Sequence, residues 1–188
     1  MENNIFQCKP LLEDGFTADI LNFYIEKKTG KGLEKYLKYF AIKDAASQLS
    51  NTFLIREKGT DYLVGYFSLK AGGIPVNEKN RGITSEFDMI PGIELANFAV
   101  NDNYKKKHPD IKHIGTIIFS DFVLPIIREV RKYSAVRVVY IFSLPYKPLL
   151  NYYEKLGFQR LERKEEKKLH RRVKPAYDRG CIFMYRLI

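Results

Sequence analysis

The sequence lacks the features of an exported or membrane-spanning protein. It has no tryptophan, and its longest apolar stretches, such as Val136–Leu144, are far too short to cross a bilayer. Its first four residues, Met-Glu-Asn-Asn, do not combine a basic segment with an apolar run, so we predict no signal peptide. We therefore expect a cytoplasmic protein that does not associate with membranes.

Cysteine and histidine are too few and too scattered for a disulfide framework or a metal site. The two cysteines, Cys8 and Cys181, lie near opposite ends of the chain, and we expect reduced thiols. The three histidines are dispersed, and no acidic residues cluster at the spacing of metal ligands. We predict no metal cofactor.

Acidic residues are in deficit, since 22 Asp and Glu stand against 32 Lys and Arg, giving a net charge of +10. A cationic surface attracts nucleic acid, acidic protein segments or a phosphorylated cofactor. Lysines that only solvate the surface are the alternative.

With 188 residues, 45% hydrophobic and 29% charged, the chain has the size and composition of a single globular domain, residues 1–188.

The order of apolar patterns predicts an α/β domain with a mixed central sheet and the element order βααβββαβαββ. The predicted strands are Phe6–Leu12, Thr52–Arg56, Tyr62–Leu69, Ile93–Val100, Arg137–Phe142, Phe158–Glu162 and Ile182–Leu187. The predicted helices run from Thr17 to near Gly30, from Leu33 to about Ser50, from about Ile114 to Val130, and from Lys147 to Gly157. We also predict a long loop at Ala71–Pro91 and a kink at Pro125.

The start of the third helix has the features of a phosphate-binding site. Helix N-termini have unsatisfied N–H groups and the positive end of the dipole. In the segment Lys112-His-Ile-Gly-Thr-Ile, Gly115 leaves these amides unshielded and Lys112 adds charge. Many helices begin in this way and bind no ligand, so an ordinary helix start is the alternative interpretation.

Two stretches resemble the motifs of the GNAT superfamily of N-acetyltransferases. The strand Leu95-Ala-Asn-Phe-Ala-Val100 and the segment Lys112-His-Ile-Gly115-Thr-Ile117 are similar to the acetyl-CoA motif, a strand followed by Gln/Arg-x-x-Gly-x-Gly/Ala. Lys112 and Ile117 differ from that pattern. The segment Lys147-Pro-Leu-Leu-Asn-Tyr-Tyr153-Glu-Lys-Leu-Gly-Phe158 resembles the second motif, a helix that ends in Tyr-Glu-Lys-x-Gly-Phe. The resemblance covers essentially the whole chain.

The resemblance implies direct transfer of an acetyl group from acetyl-CoA to a primary amine. It implies that the pantetheine arm lies along Phe98, Ala99 and Val100, with the pyrophosphate near Lys112 on the amides of His113, Ile114, Gly115 and Thr116. Tyr153 matches the family's general acid, which protonates the departing thiolate, and Glu94 is a candidate general base. The alternatives are a core aromatic at position 153 and a rim carboxylate at position 94.

Within the superfamily, the chain resembles toxins of toxin–antitoxin pairs that acetylate the amino group of aminoacyl-tRNA. The segments that carry this resemblance are Leu33-Glu-Lys-Tyr-Leu-Lys-x-x-Ala41, Thr52-Phe-Leu-Ile, Val64-Gly-Tyr-Phe-Ser-Leu69 and Ile90-Pro-Gly-Ile. The resemblance implies tRNA and an antitoxin as partners, and it leaves a homodimer open.

Two basic runs are candidate tRNA contacts, because RNA affinity requires neutralisation of phosphates. They are Lys105–Lys107 and Arg160–Lys174, the latter with Lys167, Lys168, Arg171 and Arg172. Glu162, Glu165 and Glu166 interrupt the second run, and a solvated hairpin is its alternative interpretation. Two other functions also stay open: acetylation of a small amine, polyamine or peptide N-terminus, and a non-catalytic binding or regulatory module on the same fold.

Overall fold

The structure, a computed structural model, describes residues 1–15, 17–60, 62–75, 89–172 and 180–188. Seven strands form one mixed sheet in the order β1-β2-β3-β4-β5-β7-β6. They are β1 (Phe6–Pro10), β2 (Asn51–Glu57), β3 (Leu63–Pro75), β4 (Met89–Val100), β5 (Val138–Ser143), β6 (Gln159–Arg160) and β7 (Ile182–Leu187). The predicted mixed α/β fold is confirmed, although the helices differ from the predicted order.

The α-helices within these residues are short. They are α1 (Leu11–Asp14), α2 (Ala18–Leu21), α3 (Lys31–Tyr39), α4 (Ala41–Ala46), α5 (Asp102–Lys107), α6 (Ile114–Ile118), α7 (Leu124–Val130), α8 (Lys147–Lys155) and α9 (Arg163–Arg172). A 3₁₀ helix at Lys28–Gly30 and a π-helix at Phe119–Val123 complete the set. None of the helices in the described ranges is long and apolar enough to cross a membrane.

The chain divides into two compact units, which we describe separately. The first comprises Met1–Lys70 and Leu95–Ile127, and the second comprises Ala71–Glu94 and Arg128–Ile188. The long strands β3 and β4 contribute to both units. One domain over residues 1–188 stays a prediction.

In the first unit, the antiparallel strands β1, β2 and β3 support helices α1 to α4. Leu54 and Tyr66 face each other across β2 and β3, and both are fully buried in a cluster with Leu37 of α3 and Ala41 of α4. The Tyr66 hydroxyl donates a hydrogen bond of 2.7 Å to the carbonyl of Leu33. Apolar burial and this directed bond thereby fix α3 on the sheet.

The predicted helix from Thr17 to near Gly30 is wrong, because α2 ends after one turn. Beyond it, the Ile25 N–H donates to Glu34 at 3.0 Å and the Glu26 N–H donates to Asp102 at 2.8 Å, so carboxylates replace helical acceptors. Thr17 makes no N-cap bond and instead accepts a hydrogen bond from Arg56 at 2.9 Å. The next predicted helix, which begins at Leu33, is split at Phe40 into α3 and α4.

A π-helix lies just before Pro125, where we predicted a kink, and the kink itself stays a prediction. Proline lacks an N–H and clashes with the carbonyl four residues earlier, and the π-helix Phe119–Val123 ends just before it. The extra residue shifts the inward face by one position. Ile127 is therefore fully buried, whereas Ile126 is half-buried and Val130, which a regular helical period would place inward with Phe122 and Ile126, is exposed.

In the second unit, β5 lies between β4 and β7. Its residues are nearly all buried, as the apolar run predicted. The predicted loop Ala71–Pro91 is wrong at both ends, because β3 continues to Pro75 and β4 begins at Met89, while residues 76–88 lie outside the described ranges. Gly92 lies in β4, at a point where this strand passes close to β5. A side chain at this position would lie 2.6 Å from the side chain of Val138, so only glycine permits the close approach.

The end of the chain also differs from the prediction. The second-to-last strand, predicted as Phe158–Glu162, is reduced to two residues, and the basic stretch after it forms helix α9 instead of a hairpin. Leu169 of α9 is buried against Tyr140 and Phe183 of the sheet. The buried carboxylate of Glu166 accepts the Phe183 N–H at 3.0 Å, which ties the helix to β7.

Candidate functional site

The C-terminal half of β4, in the first unit, has a backbone edge without a strand partner. The parallel pairing of β4 with β5 joins Gly92, Ile93 and Glu94 to Val138, Val139 and Tyr140. β4 continues from Leu95 to Val100, and no residue of this half is paired with β5 in the described part of the chain. The predicted pantetheine residues Phe98, Ala99 and Val100 lie here, so the backbone donors and acceptors along this edge are free to bind an extended, amide-containing ligand.

The start of α6 supplies unpaired donors in the same unit. His113 precedes the helix in the left-handed conformation with φ of 57°, and its carbonyl accepts the N–H of Ile117 at 3.0 Å. Among the described residues, no acceptor pairs with the N–H groups of Ile114, Gly115 and Thr116. Gly115 and Thr116 are only half-buried, and the exposed Lys112 bonds back to the carbonyl of Pro109. These residues can hold a phosphate group.

Gly65 of β3 links these two segments. A side chain at this position would lie 2.7 Å from the carbonyl oxygen of Ala99 and 3.2 Å from the side chain of Ile118. Its absence lets β4 and the end of α6 pack closely on β3. The strand that carries the predicted pantetheine residues and the end of the helix that begins at the predicted phosphate residues therefore pack on the same part of β3.

A polar cavity in the first unit is a poor phosphate site. Its volume is about 570 Å³, and Lys9, Asp14, Asp19, Arg56, Tyr62 and Asn101 contribute to its lining. The buried guanidinium of Arg56 is already paired with the carboxylates of Asp14 and Asp19, each at 2.5 Å. Because the carboxylates of Asp14 and Asp19 neutralise the buried guanidinium of Arg56, this cavity is a less favourable anion site than the start of α6.

Tyr153 lies in the second unit, on the last turn of α8. Its ring is 8% exposed and packs edge-to-face on Phe158, with ring centroids 5.5 Å apart. Burial raises the pKa of the Tyr153 hydroxyl, with a smaller contribution from Tyr152, so the phenol is protonated at neutral pH. No described residue makes a hydrogen bond with this hydroxyl, which is therefore available to donate its proton.

The end of α8 is a complete Schellman motif. The Phe158 N–H donates to the Tyr153 carbonyl at 3.0 Å, and the Gly157 N–H donates to the Glu154 carbonyl at 2.9 Å. Gly157 has φ of 85°, which glycine adopts without strain. The apolar contact that accompanies this motif is the one between Tyr153 and Phe158. The segment Tyr-Glu-Lys-Leu-Gly-Phe therefore also meets the requirements of a helix end.

Glu94 lies beside a tyrosine that the sequence analysis did not select. It is in register with Tyr140 of β5, and its side chain is half-buried. Burial raises the pKa of Tyr140 to about 12, and the negative charge of Glu94 contributes to the increase. The Tyr140 hydroxyl lies next to Gly72, where a side chain would be 2.1 Å from it. Gly72 is therefore the one feature of the sequence that is connected with the position of Tyr140.

The two predicted basic runs differ in structure. The α5 lysines all have partners: Lys105 pairs with Asp102 at 2.8 Å, Lys106 pairs with Glu26 at 2.9 Å, and Lys107 lies 4.6 Å from the ring of Tyr62. On α9, Lys168 pairs with Glu165 at 2.7 Å. The neighbouring Lys167 and Arg171 are exposed and have no ion-pair partner in the described ranges, and Lys174 lies outside those ranges.

By sequence, the chain matches no protein-family model and no curated protein. By structure, it has the GNAT fold, a mixed sheet flanked by helices. A bacterial toxin has the same fold, with a TM-score of 0.71 at 16% identity over 98% of this chain and 91% of the toxin.

Two structures of the toxin AtaT share the fold. A Tyr-to-Phe mutant of AtaT, bound to acetyl-CoA and the C-terminus of the antitoxin AtaR, has a TM-score of 0.66 at 11% identity over 97% of this chain and 92% of AtaT. AtaT in complex with acetyl-methionyl-tRNAfMet has a TM-score of 0.64 at 13% identity over 95% and 93%. The predicted resemblance to the toxin subgroup of GNAT proteins is thus confirmed in the fold.

Proposed function

We propose that this protein is an acetyl-CoA-dependent N-acetyltransferase that acts on the amino group of aminoacyl-tRNA, as a toxin-like enzyme. The observation that carries the proposal is the pair of unsatisfied backbone segments in the first unit. One is the edge of β4 at Leu95–Val100, and the other is the start of α6 at Ile114–Thr116. Both occur on a fold shared with a toxin bound to acetyl-CoA.

The residues present fit acetyl-CoA. We assign the N–H groups of Ile114, Gly115 and Thr116, which lie at the positive end of a helix, as the donors to the pyrophosphate, with Lys112 nearby in sequence. The backbone of Phe98, Ala99 and Val100 provides donors and acceptors for the amides of the pantetheine arm. Bound acetyl-CoA supplies the thioester from which the acetyl group is transferred.

Tyr153 and Glu94 take the proton-transfer roles. As the amine nitrogen forms its bond to the acetyl carbon and the carbon–sulfur bond breaks, Tyr153 gives its proton to the leaving sulfur. Glu94 accepts the proton that the attacking amine loses. The raised pKa of Tyr153 means that its hydroxyl carries the proton that a general acid needs at neutral pH.

The acceptor is proposed from charge and from the AtaT complexes. The net charge of +10 favours a polyanionic substrate, and AtaT was solved with acetyl-methionyl-tRNAfMet. An antitoxin is proposed as a second partner, because AtaT was also solved with the C-terminus of AtaR. A small-amine acceptor and a non-catalytic module are the outcomes that the following experiment separates from this proposal.

The test combines calorimetry with an acetylation assay on aminoacyl-tRNA. We expect wild-type protein to bind acetyl-CoA and to acetylate the charged tRNA. The Tyr153→Phe variant should retain the cofactor affinity while turnover falls about 10²- to 10⁴-fold, the usual contribution of a general acid. Expression of wild-type protein, but not of this variant, should arrest growth.

Each alternative outcome has a distinct meaning. No binding at millimolar acetyl-CoA would favour a binding module over any enzyme. Binding of acetyl-CoA with acetylation of polyamines or peptide amines, but not of aminoacyl-tRNA, would identify a small-amine enzyme. Equal turnover of wild-type and Tyr153→Phe would remove Tyr153 from the proposed mechanism.

A further inference from the structure

Helix α9 is firmly attached to the sheet on its inward side and carries unpaired positive charge on its outward side. The attachment is made on one side of the helix, where Leu169 is buried and Glu166 accepts the Phe183 N–H at 3.0 Å. Glu166 also pairs with Arg160 at 3.4 Å. Both carboxylates of the helix are therefore engaged, since Glu165 pairs with Lys168 at 2.7 Å.

Four cations remain on the outward side. Arg163, Lys164, Lys167 and Arg171 are exposed, and none of them has an ion-pair or hydrogen-bond partner within the residues that the structure describes. In a helix of 3.6 residues per turn, these four positions span an arc of about 100°. Arg163, Lys167 and Arg171 follow one another at steps of about 6 Å along the axis. We call these four residues the α9 stripe.

We propose that the α9 stripe is the surface that binds the phosphate backbone of the RNA substrate. This inference rests on the proposed function and names the part of the chain that holds its acceptor. Arg and Lys side chains that no carboxylate neutralises can exchange their counterions for phosphates, and release of those ions drives binding. On α5, the carboxylates of Asp102 and Glu26 offset the charges of Lys105 and Lys106, and only Lys107, which lies over the Tyr62 ring, keeps a charge without a carboxylate partner, so we expect α5 to contribute less.

The attachment of α9 favours a role in positioning as well as in affinity. A row of phosphate contacts fixes the register of a nucleic acid only if the row itself is held rigidly. Glu166 and Leu169 provide this rigidity, because both are buried and each contacts the sheet of the second unit. The same sheet carries Glu94 and Tyr140. The stripe and the proposed general base therefore belong to one compact unit.

The test compares two variants that each lose three charges. The α9 variant carries Arg163→Gln, Lys167→Gln and Arg171→Gln, and the control carries Lys105→Gln, Lys106→Gln and Lys107→Gln. Binding of uncharged tRNA is measured by fluorescence anisotropy between about 50 and 200 mM salt, a range in which counterion release is evident. We expect the α9 variant to bind at least tenfold more weakly, with the slope of log K against log salt reduced by about three. The control should change by less than threefold.

Three results with the variants would overturn the proposal. They are equal losses in both variants, a loss only in the α5 control, and an α9 variant that still binds tRNA but loses binding to vesicles containing anionic lipid. Absence of tRNA binding by the wild-type protein would also overturn it. Unchanged thermal unfolding, together with retained binding by a charge-keeping variant with Arg163→Lys and Arg171→Lys, shows that charge and not folding is measured.

The proposed function is assayed separately from this surface. The α9 variant should keep its affinity for acetyl-CoA, and it should acetylate a small aminoacyl ester at the wild-type rate. If that rate and aminoacyl-tRNA acetylation are intact in both triple variants, the enzyme stands and the α9 stripe is rejected. If the wild-type protein and both triple variants acetylate no amine, the proposed function fails whatever the RNA-binding result.

Discussion

The start of α6 and the end of α8 carry the two motifs on which the functional assignment depends, and they differ in what the fold itself requires. At the end of α8, three residues of the motif serve the fold: Gly157 permits a φ of 85°, Phe158 packs on Tyr153, and backbone bonds from Gly157 and Phe158 close the helix. At the start of α6, the N–H groups of Ile114, Gly115 and Thr116 have no acceptor among the described residues.

By sequence alone, the α8 motif is the stronger evidence for the proposed activity. In the structure, the start of α6 is the stronger evidence for a ligand. The α8 segment matches the family pattern more closely, yet helix capping accounts for it without any ligand. The α6 segment departs from the pattern at Lys112 and Ile117, yet its backbone leaves donors that the fold does not use. A close sequence match can therefore report a folding requirement, whereas unsatisfied groups point to a ligand.

The largest expected effect is on stability, at the end of α8. Phe158→Ala removes a ring that is 2% exposed and contacts Tyr153, so we expect a loss of about 3 kcal/mol in the free energy of unfolding. Urea denaturation measures it, with Tyr153→Phe as the control that keeps the ring and should change stability by less than about 1 kcal/mol. A loss in the control as large as in Phe158→Ala would mean that the Tyr153 hydroxyl has a structural role.

The second expected effect separates ligand binding from folding at the start of α6. Gly115→Asp places a negative charge in the first helical turn, where it favours the helix but repels a phosphate. We expect acetyl-CoA affinity to fall at least tenfold, about 1.4 kcal/mol, while the thermal midpoint is unchanged or higher. Gly115→Ala is the uncharged control. Unchanged affinity in Gly115→Asp would place the pyrophosphate elsewhere.

A smaller effect tests whether Gly157 is required by its conformation. Gly157→Ala should cost about 1 kcal/mol, because an L-residue is strained at a φ of 85°. Crowding is not the cause, since a side chain there would make an ordinary contact of 3.5 Å with Arg186. Gly157→Asn, which tolerates this region better, should recover part of the loss in the same denaturation experiment. Equal losses for Ala and Asn would contradict the conformational explanation.

The smallest expected effect is an absence of change with pH. Burial raises the pKa of Tyr153 above its ordinary value near 10, so the phenol keeps its proton as the solution becomes alkaline. We expect Tyr153 to produce no fall in kcat below about pH 10. A fall in kcat with a midpoint near pH 8 that vanished on Tyr153→Phe would show that the hydroxyl ionises too easily for the proposed role.

Strands and helices with strong apolar patterns could be predicted from the sequence. The run that became β5 is apolar throughout, and α8 carries both a proline in its first turn and a glycine at its end. Ala99 and Val100 of β4, which were predicted cofactor residues, also pack at Gly65 together with Ile118 of α6. Their binding of acetyl-CoA, like the roles of Tyr153 and Glu94, stays a prediction.

Elements held by polar or single contacts could not be predicted. Helix α9 buries only Leu169 and Glu166 against the sheet, so its sequence shows no apolar period, and its attachment depends on a carboxylate bonded to a strand N–H. Helix α5 buries only Tyr104. The glycines in β3 and β4 suggested a loop, although Gly72 and Gly92 are there because neighbouring side chains leave no room for a larger residue.

The attachment of α9 through one face has a consequence for how this protein can change over time. Because Glu166 and Leu169 hold the helix, mutations at the four outward positions alter surface charge with almost no penalty in folding. The charge of that face can therefore change under selection while the sheet and the packing of the second unit stay constant. For protein engineering, the proposed RNA-binding role makes these four positions the place to adjust the strength of RNA binding through charge alone.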